Sequence, residues 1–450
     1  MTEVTSHHVP GNAALELVAI DMGYGHLRPA HSIAQFLDLP ILLADEPPLA
    51  TQAEQMRWQR ARRVYEVLSR ASGIAVLGWP FARLLGKMTH IEPLTPGKDL
   101  SKPSWETRWL QREGLRGMGR NLGDRLRSKS AALLTTFYAP AVLAELHGAM
   151  NLFCVVTDSD VHRVWARSDP KSSRIHYLVP TERAERRLLA YGVSSDRIHL
   201  TGFPLPHCLI GGFEDRAFRQ NLERRLRALD PRSSARESGA ALELPPAPPL
   251  HLVFAVGGAG AQSELALRFL PSLRPLIQSG RLRLTLVAGV RKDVQRAFEA
   301  ALRHADLESA PEGPIQILFR SSLSEYFEAF HRLLAETDVL WTKPSELCFY
   351  AALGLPLILS PPLGAHEGEN LRWTLEVGAA VRQGPPESAA EWLRRLHEDG
   401  TFSAAARAGA AHLPRHGLYR IVELVLGEPA LKQALKRAEK SSLHLPQPGL

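Results

Sequence analysis

Cysteine is scarce in this chain: only Cys154, Cys208 and Cys348 occur in 450 residues. They are far apart and odd in number, which excludes a disulfide framework and a C-x-x-C metal pair and makes a reducing compartment the default. Long apolar runs are missing too. The most apolar stretch, Gly73 to Ala82, has about half of the roughly 20 residues that a bilayer core demands, and Arg83 and Lys87 follow it. Residues Met1 to Asn12 are polar, with His7 and His8 reading as tail and no basic region leading into an apolar stretch, so no secretory signal is expected. The expectation is a cytoplasmic chain that meets a membrane, if at all, on its cytoplasmic surface. The Walker pattern G-x-x-x-x-G-K-[ST] and a proper G-x-G-x-x-G are also absent. No recognised nucleic-acid motif occurs, and no nucleic-acid partner is expected.

What is present is an ordinary globular composition, 45% hydrophobic and 22% charged, which argues against a largely disordered or fibrous chain. The length suits two domains with linkers. The formal charge of +7 is unevenly placed: between Thr51 and Ser130, 16 lysines and arginines stand against 7 acidic residues. Arginines there alternate with Met56, Trp58, Val64, Tyr65 and Val67, then with an apolar group from Ile74 to Leu85, then with Trp105, Trp109, Leu110 and Leu115. Two readings are open. Basic side chains beside Trp and Leu on amphipathic segments are what an anionic bilayer surface attracts, and a solvated basic face over an ordinary core has the same pattern.

Short apolar runs alternate with helical stretches. Leu15 to Ile20 ends at Asp21-Met22-Gly23-Tyr24-Gly25-His26, with a helix expected from Pro29 to Phe36. Further strands are expected at Leu152 to Val156 and Ile175 to Val179, with a helix over Thr181 to Tyr191. The pattern restarts with a strand at Leu252 to Val256, the turn Gly257-Gly258-Ala259-Gly260-Ala261 and a helix from Glu264 to Leu270. Strands follow at Leu282 to Val287, Ile315 to Leu318, Val339 to Trp341 and Leu355 to Leu359. Such alternation predicts α/β domains, each a parallel sheet covered on both faces. The expected boundaries are 13–207 for the first Rossmann-like domain, 208–249 for a helix and Pro-rich linker, 250–415 for the second domain, and 416–450 for a C-terminal helix and tail.

In each half a strand feeds a glycine-rich turn and then a helix, which places backbone N–H groups and the positive helix end where phosphate can sit. A tight structural turn explains Gly257 to Ala261 equally well. His26 follows Gly25 at the carboxyl end of the first strand, where parallel-sheet proteins put ligands. A histidine there can act as a general base near neutral pH or merely bond its neighbours at a helix start. Asp158 and His162, four residues apart, can share one helical face or turn. Asp158-Ser159-Asp160 has the form of a D-x-D metal motif but no third ligand nearby, so no metal is expected. Lys343-Pro344-Ser345-Glu346 begins just after a strand. Its amides and the Lys343 charge can meet a diphosphate and Glu346 can accept from ribose hydroxyls, or it is a proline turn with a solvated ion pair.

Taken together these residues resemble a family. Gly23-Tyr24-Gly25-His26 with Ala30, Thr157-Asp158 with His162 and Trp165, and Thr201-Gly202-Phe203-Pro204 look like the acceptor half of the diacylglycerol glycosyltransferases. These are the monogalactosyldiacylglycerol synthases and processive glucosyltransferases, related to the peptidoglycan N-acetylglucosaminyltransferase. Gly257-Gly258, Thr342-Lys343-Pro344, Gly354-Leu355-Pro356 and Glu367-Gly368-Glu369-Asn370 look like the donor half. The resemblance implies a GT-B fold of two facing Rossmann-like domains with an interdomain cleft. It implies an inverting, metal-independent transfer from a nucleotide sugar, first a UDP-sugar, to a lipid or lipid-linked hydroxyl, with no cofactor. Carried over, His26 is the base, with Asp158 and His162 near the acceptor beside the Gly23 and Gly25 loop. Gly257, Gly258, Gly260, Ala261, Lys343, Ser345 and Glu346 hold the diphosphate and ribose, and His366, Glu367, Glu369 and Asn370 the sugar and ribose hydroxyls.

The chain departs from the family pattern where Lys-Pro-Gly-Gly is usual, since Ser345-Glu346 follow Lys343-Pro344 and the span to Gly354 is two residues shorter. His366 replaces the family's glutamine, and the glycine turn ends in Ala261-Gln262. Two alternatives follow: a sugar-nucleotide 2-epimerase, which needs no acceptor, and a non-catalytic GT-B protein that keeps nucleotide-sugar binding.

Overall fold

A computed structural model describes residues 14–72, 90–95, 97–230 and 248–442. His7 and His8, the apolar stretch Gly73 to Ala82, most of the expected Pro-rich linker and the last residues of the tail lie outside the described residues. Those that are described divide into two compact units. The first holds the residues up to Arg63, Ile91–Phe213 and those from Pro414 onward; the second holds Glu214–Leu413 with the described residues between Val64 and His90.

In the first unit six strands pair in parallel: β1 (Leu15–Ala19), β2 (Ile41–Leu43), β3 (Ala132–Thr135), β4 (Leu152–Val155), β5 (Ile175–Val179) and β6 (Ile198–Leu200). Their spatial order is β2-β1-β3-β4-β5-β6, with Leu15 beside Ala132 and Leu133 beside Leu152. Parallel neighbours need crossovers, which the helices Tyr24–Leu37, Tyr138–Leu146 and Glu182–Ala190 help to supply. With both faces covered, β3, β4 and β5 are buried along their whole length, so apolar residues dominate them, with Thr135 and His176 the buried exceptions. The helix expected from Pro29 begins earlier, at Tyr24, because Gly23 makes the turn at a φ of 115°. His26 is thereby carried on the first helical turn. Glu182–Ala190 is capped by Thr181, whose hydroxyl oxygen accepts from the Ala184 N–H at 3.1 Å.

The C-terminal helices Gly417–Leu426 and Glu428–Ser442 belong to this unit. Arg437 donates to the Phe36 carbonyl at 2.9 Å, and the Tyr419 hydroxyl accepts from the Gly212 N–H at 3.0 Å and bonds His207 Nδ1 at 2.8 Å. The Thr201-Gly202-Phe203-Pro204 run lies against Gly417, where a Cβ would stand 2.3 Å from the Phe203 carbonyl oxygen, so only glycine permits the approach.

The second unit repeats the plan with β7 (Leu250–Ala255), β8 (Leu282–Gly289), β9 (Ile315–Phe319), β10 (Val339–Thr342), β11 (Leu357–Leu359) and β12 (Ala380–Arg382), in the parallel order β12-β11-β10-β7-β8-β9. Its core gathers Phe254, Phe269, Phe298 and Trp341 beneath the flanking helices. Arg225, from the helix Arg216–Leu229, is buried. It donates to the carbonyls of Thr337 (2.7 Å), Leu353 (2.8 Å), Leu334 and Gly354 (both 3.2 Å), and so closes the C-terminal ends of the helix Leu323–Glu336 and the 3-10 helix Glu346–Leu353.

Candidate functional site

In each sheet the strand order reverses once, between β1 and β3 in the first unit and between β7 and β10 in the second. At such a switch point adjacent crossovers leave in opposite directions and open a crevice outside the carboxyl ends of the strands. The residues singled out by the sequence collect at these two places. His26 follows β1. Lys343 and the Gly257 turn follow β10 and β7.

In the first crevice His26 Nδ1 lies 3.0 Å from the Thr136 carbonyl oxygen, just beyond β3, and 3.0 Å from Thr157 Oγ1, beyond β4. A carbonyl can only accept, so the proton of a neutral ring sits on Nδ1 and Nε2 is the basic nitrogen. Thr136 Oγ1 donates to the His26 carbonyl at 2.7 Å, which ties the same two loops a second time. Phe137 packs edge-on to the imidazole with centroids 4.5 Å apart, and Trp165 stands 6.3 Å away. Asp21, in the turn after β1, is ion-paired with Arg62.

The segment after β4 is a bend, not a helical face. His162 caps the short 3-10 helix Arg163–Trp165 by accepting the Val164 N–H on Nδ1 at 3.2 Å, which puts the proton of its neutral ring on Nε2. Asp158 is half-buried in the bend. Asp160 is buried and takes both Arg187 Nε (2.8 Å) and Arg187 Nη2 (2.7 Å), so the D-x-D carboxylates do not act as a pair. Among the described residues no group of three or more His, Cys, Asp or Glu side chains is placed to hold a metal ion.

In the second crevice the turn Gly257 to Ala261 is tied from several sides. Arg291, beyond β8, donates to the Gly258 carbonyl at 3.3 Å while paired with Asp293 at 3.1 Å. Gln262 adopts a left-handed φ of 68°, unusual outside glycine, and its amide donates to the Pro361 carbonyl at 2.8 Å. A Cβ on Gly257 would stand 2.4 Å from Lys343 Cε. The lysine stem therefore passes directly over the turn, and its Nζ is ion-paired with the buried carboxylate of Glu367. The other Glu367 oxygen accepts the Leu363 N–H at 2.8 Å. Burial pushes the Glu367 carboxyl up, but Lys343, His366 and the Leu363 N–H outweigh it and hold it below the ordinary range.

Glu367 belongs to the helix Ala365–Val377, which also carries His366, Glu369 and Asn370. Buried Asn370 donates to the Pro344 carbonyl at 3.4 Å and so fixes the Lys343 turn, whereas Glu369 pairs with Arg372 at 2.8 Å. Ser345 stands at the start of the 3-10 helix, and Glu346, its first residue, is buried. An open recess beside the turn is bounded by Gly260 to Glu264, Asp293 and Val294. Turn amides, two helix starts and a lysine held over them can hold an anion of diphosphate size. Thr136 and Arg291 had no role expected from sequence, and Thr157 and Gln262 entered only through the family pattern, because each acts through a partner that is distant along the chain.

The basic segment divides between core and solvent. Trp58 and Leu110 enter the first unit's core. Trp105, 60% exposed, Leu115, 71% exposed, and Trp109 face outward on the helix Trp105–Leu115 that also carries the exposed Arg108 and Arg112, and Met56 is exposed on the helix Gln52–Ser72. No helix among the described residues is long and apolar enough to cross a membrane.

Residues 243–419 match a family described as a domain of unknown function, DUF6938. No curated protein matches the chain. Among solved structures the chain is similar to S. aureus MnaA solved with UDP, at 12% identity and a TM-score of 0.49, covering 91% of this chain and 95% of that one. It is also similar to the UDP-GlcNAc 2-epimerase of Neisseria meningitidis bound to UDP-GlcNAc, at 10% identity and a TM-score of 0.44, covering 95% and 100%. The spinosyn rhamnosyltransferase SpnG is similar at 14% identity and a TM-score of 0.40, covering 91% and 100%. The chain is built as two parallel-sheet Rossmann-like domains in tandem.

Proposed function

We propose that the chain is an inverting, metal-independent glycosyltransferase that moves a sugar from a nucleoside diphosphate sugar, a UDP-sugar first, to a hydroxyl of a lipid or lipid-linked acceptor. The observation that carries this is the seating of His26. The Thr136 carbonyl fixes the ring's proton on Nδ1 at a sheet switch point, leaving Nε2 to take the acceptor's hydroxyl proton. The freed oxygen attacks the anomeric carbon from the face opposite the leaving group. The bond from that carbon to the phosphate oxygen breaks, and the diphosphate departs with the electron pair. The Gly257 to Ala261 amides and Lys343 offset its charge, so a metal is not required in this reading. Ser345, Glu346, His366, Glu369 and Asn370 are proposed to contact ribose or sugar hydroxyls.

The lipid part of the reading is supported by the outward Trp105, Trp109 and Leu115 among arginines, a surface suited to a bilayer of anionic lipid on the cytoplasmic face. The test begins with calorimetric titration of the protein with uridine, guanosine and adenosine diphosphates. Each UDP-sugar is then incubated with a lipid extract and the products are read by mass spectrometry. Selective uridine diphosphate binding and a glycosylated lipid are expected. Formation of an epimer from donor alone would overturn the transferase reading in favour of epimerisation, and binding without turnover across the extracts would favour a non-catalytic protein.

A further inference from the structure

Lys343 runs over the glycine turn at Gly257, and its ammonium is already engaged. Its side chain is 15% exposed and that of Glu367 only 2%, so the two charges meet largely out of water. Gly257 sets the lysine's path, since any Cβ there would collide with Cε. Glu367 does not depend on the lysine for its position. Its second oxygen is anchored by the Leu363 N–H, and its helix is tied to the Lys343 turn through Asn370 and the Pro344 carbonyl. The carboxylate is thus rigid, while the ammonium sits on a flexible four-carbon stem that can swing between two anions within reach.

We propose that Glu367 and the donor's diphosphate compete for Lys343, so that nucleotide binding transfers the ammonium from the carboxylate to the phosphates. The proposal rests on the nucleotide-sugar reading above and assigns Glu367 a positioning role in place of a sugar contact. It has a chemical consequence. Glu367 would be left buried, faced by the Leu363 N–H and by His366 of its own helix, with no cation from the β10 turn. Burial then favours the neutral acid, and the carboxylate takes up a proton from solvent. A purely structural ion pair would give no such uptake and would weaken the site when broken.

The test is calorimetric titration of the full chain with uridine diphosphate near pH 7 in buffers of differing ionisation enthalpy, beside Glu367→Gln and Lys343→Met. The natural chain is expected to take up about one proton more on binding than Glu367→Gln does. Glu367→Gln is expected to bind about tenfold tighter, the scale of one charge-assisted hydrogen bond, and Lys343→Met more weakly. If Glu367→Gln does not fold, Lys343→Met supplies the baseline for proton counting, because its Glu367 has no cation to lose. Binding by the natural chain without extra proton uptake overturns the competition and leaves the nucleotide reading standing. No binding by the natural chain or by folded Glu367→Gln overturns both, whereas binding gained only on Glu367→Gln supports the competition in its strongest form.

Discussion

Replacing Gly257 by alanine adds one methyl group, yet that carbon would stand 2.4 Å from Cε, 3.2 Å from Cδ and 3.3 Å from Nζ of Lys343. Gly257 does not adopt a positive φ, so the backbone itself accepts alanine and the collision is the whole perturbation. Lys343 yields, and Glu367 loses its counter-ion while remaining buried. Its escape is protonation. From the ordinary value of 4.5, protonating a carboxyl at pH 7 costs about 3 kcal/mol, an upper bound because burial without the lysine lowers the cost. Loss of a hydrogen bond to a charged group falls in the same range, about 1.5–3 kcal/mol, so a destabilisation of about 2 kcal/mol is expected. The sign with pH follows. Glu367 is held below its unfolded value, so the pair's stabilisation is present above pH 4.5 and lost as pH falls through the folded value. In the variant the carboxyl is buried without its counter-ion and protonates above pH 4.5, so its cost shrinks as pH falls; the gap between natural chain and variant narrows from pH 7 to pH 5, which urea denaturation at the two pH values measures. In a Lys343→Ala background the collision partner is gone, and Gly257→Ala should cost almost nothing more. Equal costs in both backgrounds would refute the steric reasoning.

Three further outcomes are expected. Arg225→Met strips four carbonyls of their donor at the ends of two helices and should destabilise the second unit by about 3 kcal/mol in denaturation. His251 bonds Thr285 Oγ1 at 2.9 Å and the Glu336 carbonyl at 3.2 Å, and burial, with Arg283, pushes its pKa down to about 4. The unfolded chain takes the proton first, so stability should fall by up to about 3 kcal/mol as pH drops from 6.5 to 4, and His251→Asn should flatten that limb of the curve. Trp105→Glu with Trp109→Glu should reduce retention on vesicles of anionic lipid, and unchanged retention would count against the membrane surface. Arg62 is a poor probe of that surface, since its ion pair with Asp21 is lost when it is replaced.

Buried parallel strands were legible because both faces are covered and bulky apolar residues dominate them, as at β1, β4, β5, β7 and β8, even where Glu16, His176, His251 or Arg283 interrupts the run. The strands that escaped notice were short. β2, β6 and β12 have three residues each, sit at sheet edges and are partly open to solvent, so they lack the apolar run that signals a strand. β3 is fully buried, but only Leu133 and Leu134 are large apolar residues in it, so no run of bulky side chains marks it as LFCV marks β4. In the candidate site, the turn after β7 and Lys343 after β10 were visible as glycine and lysine following apolar runs. What they touch was not. Lys343 meets Glu367 from 24 residues away, Gln262 reaches Pro361 across 99, and His26 reaches Thr136 across 110. Partners at such separations are chosen by sheet order, which a single sequence does not print.

If His26 is the base for sugar transfer, its loss must stop the chemistry and spare donor binding, which is measured by comparing glycosylated lipid formed from a UDP-sugar by the natural chain and by His26→Gln, with uridine diphosphate affinity taken on both. Product is expected from the natural chain, at least about 100-fold less from His26→Gln, and the same nucleotide affinity in each, because a general base lowers the barrier without holding the donor. Undiminished product from His26→Gln would contradict that role for His26.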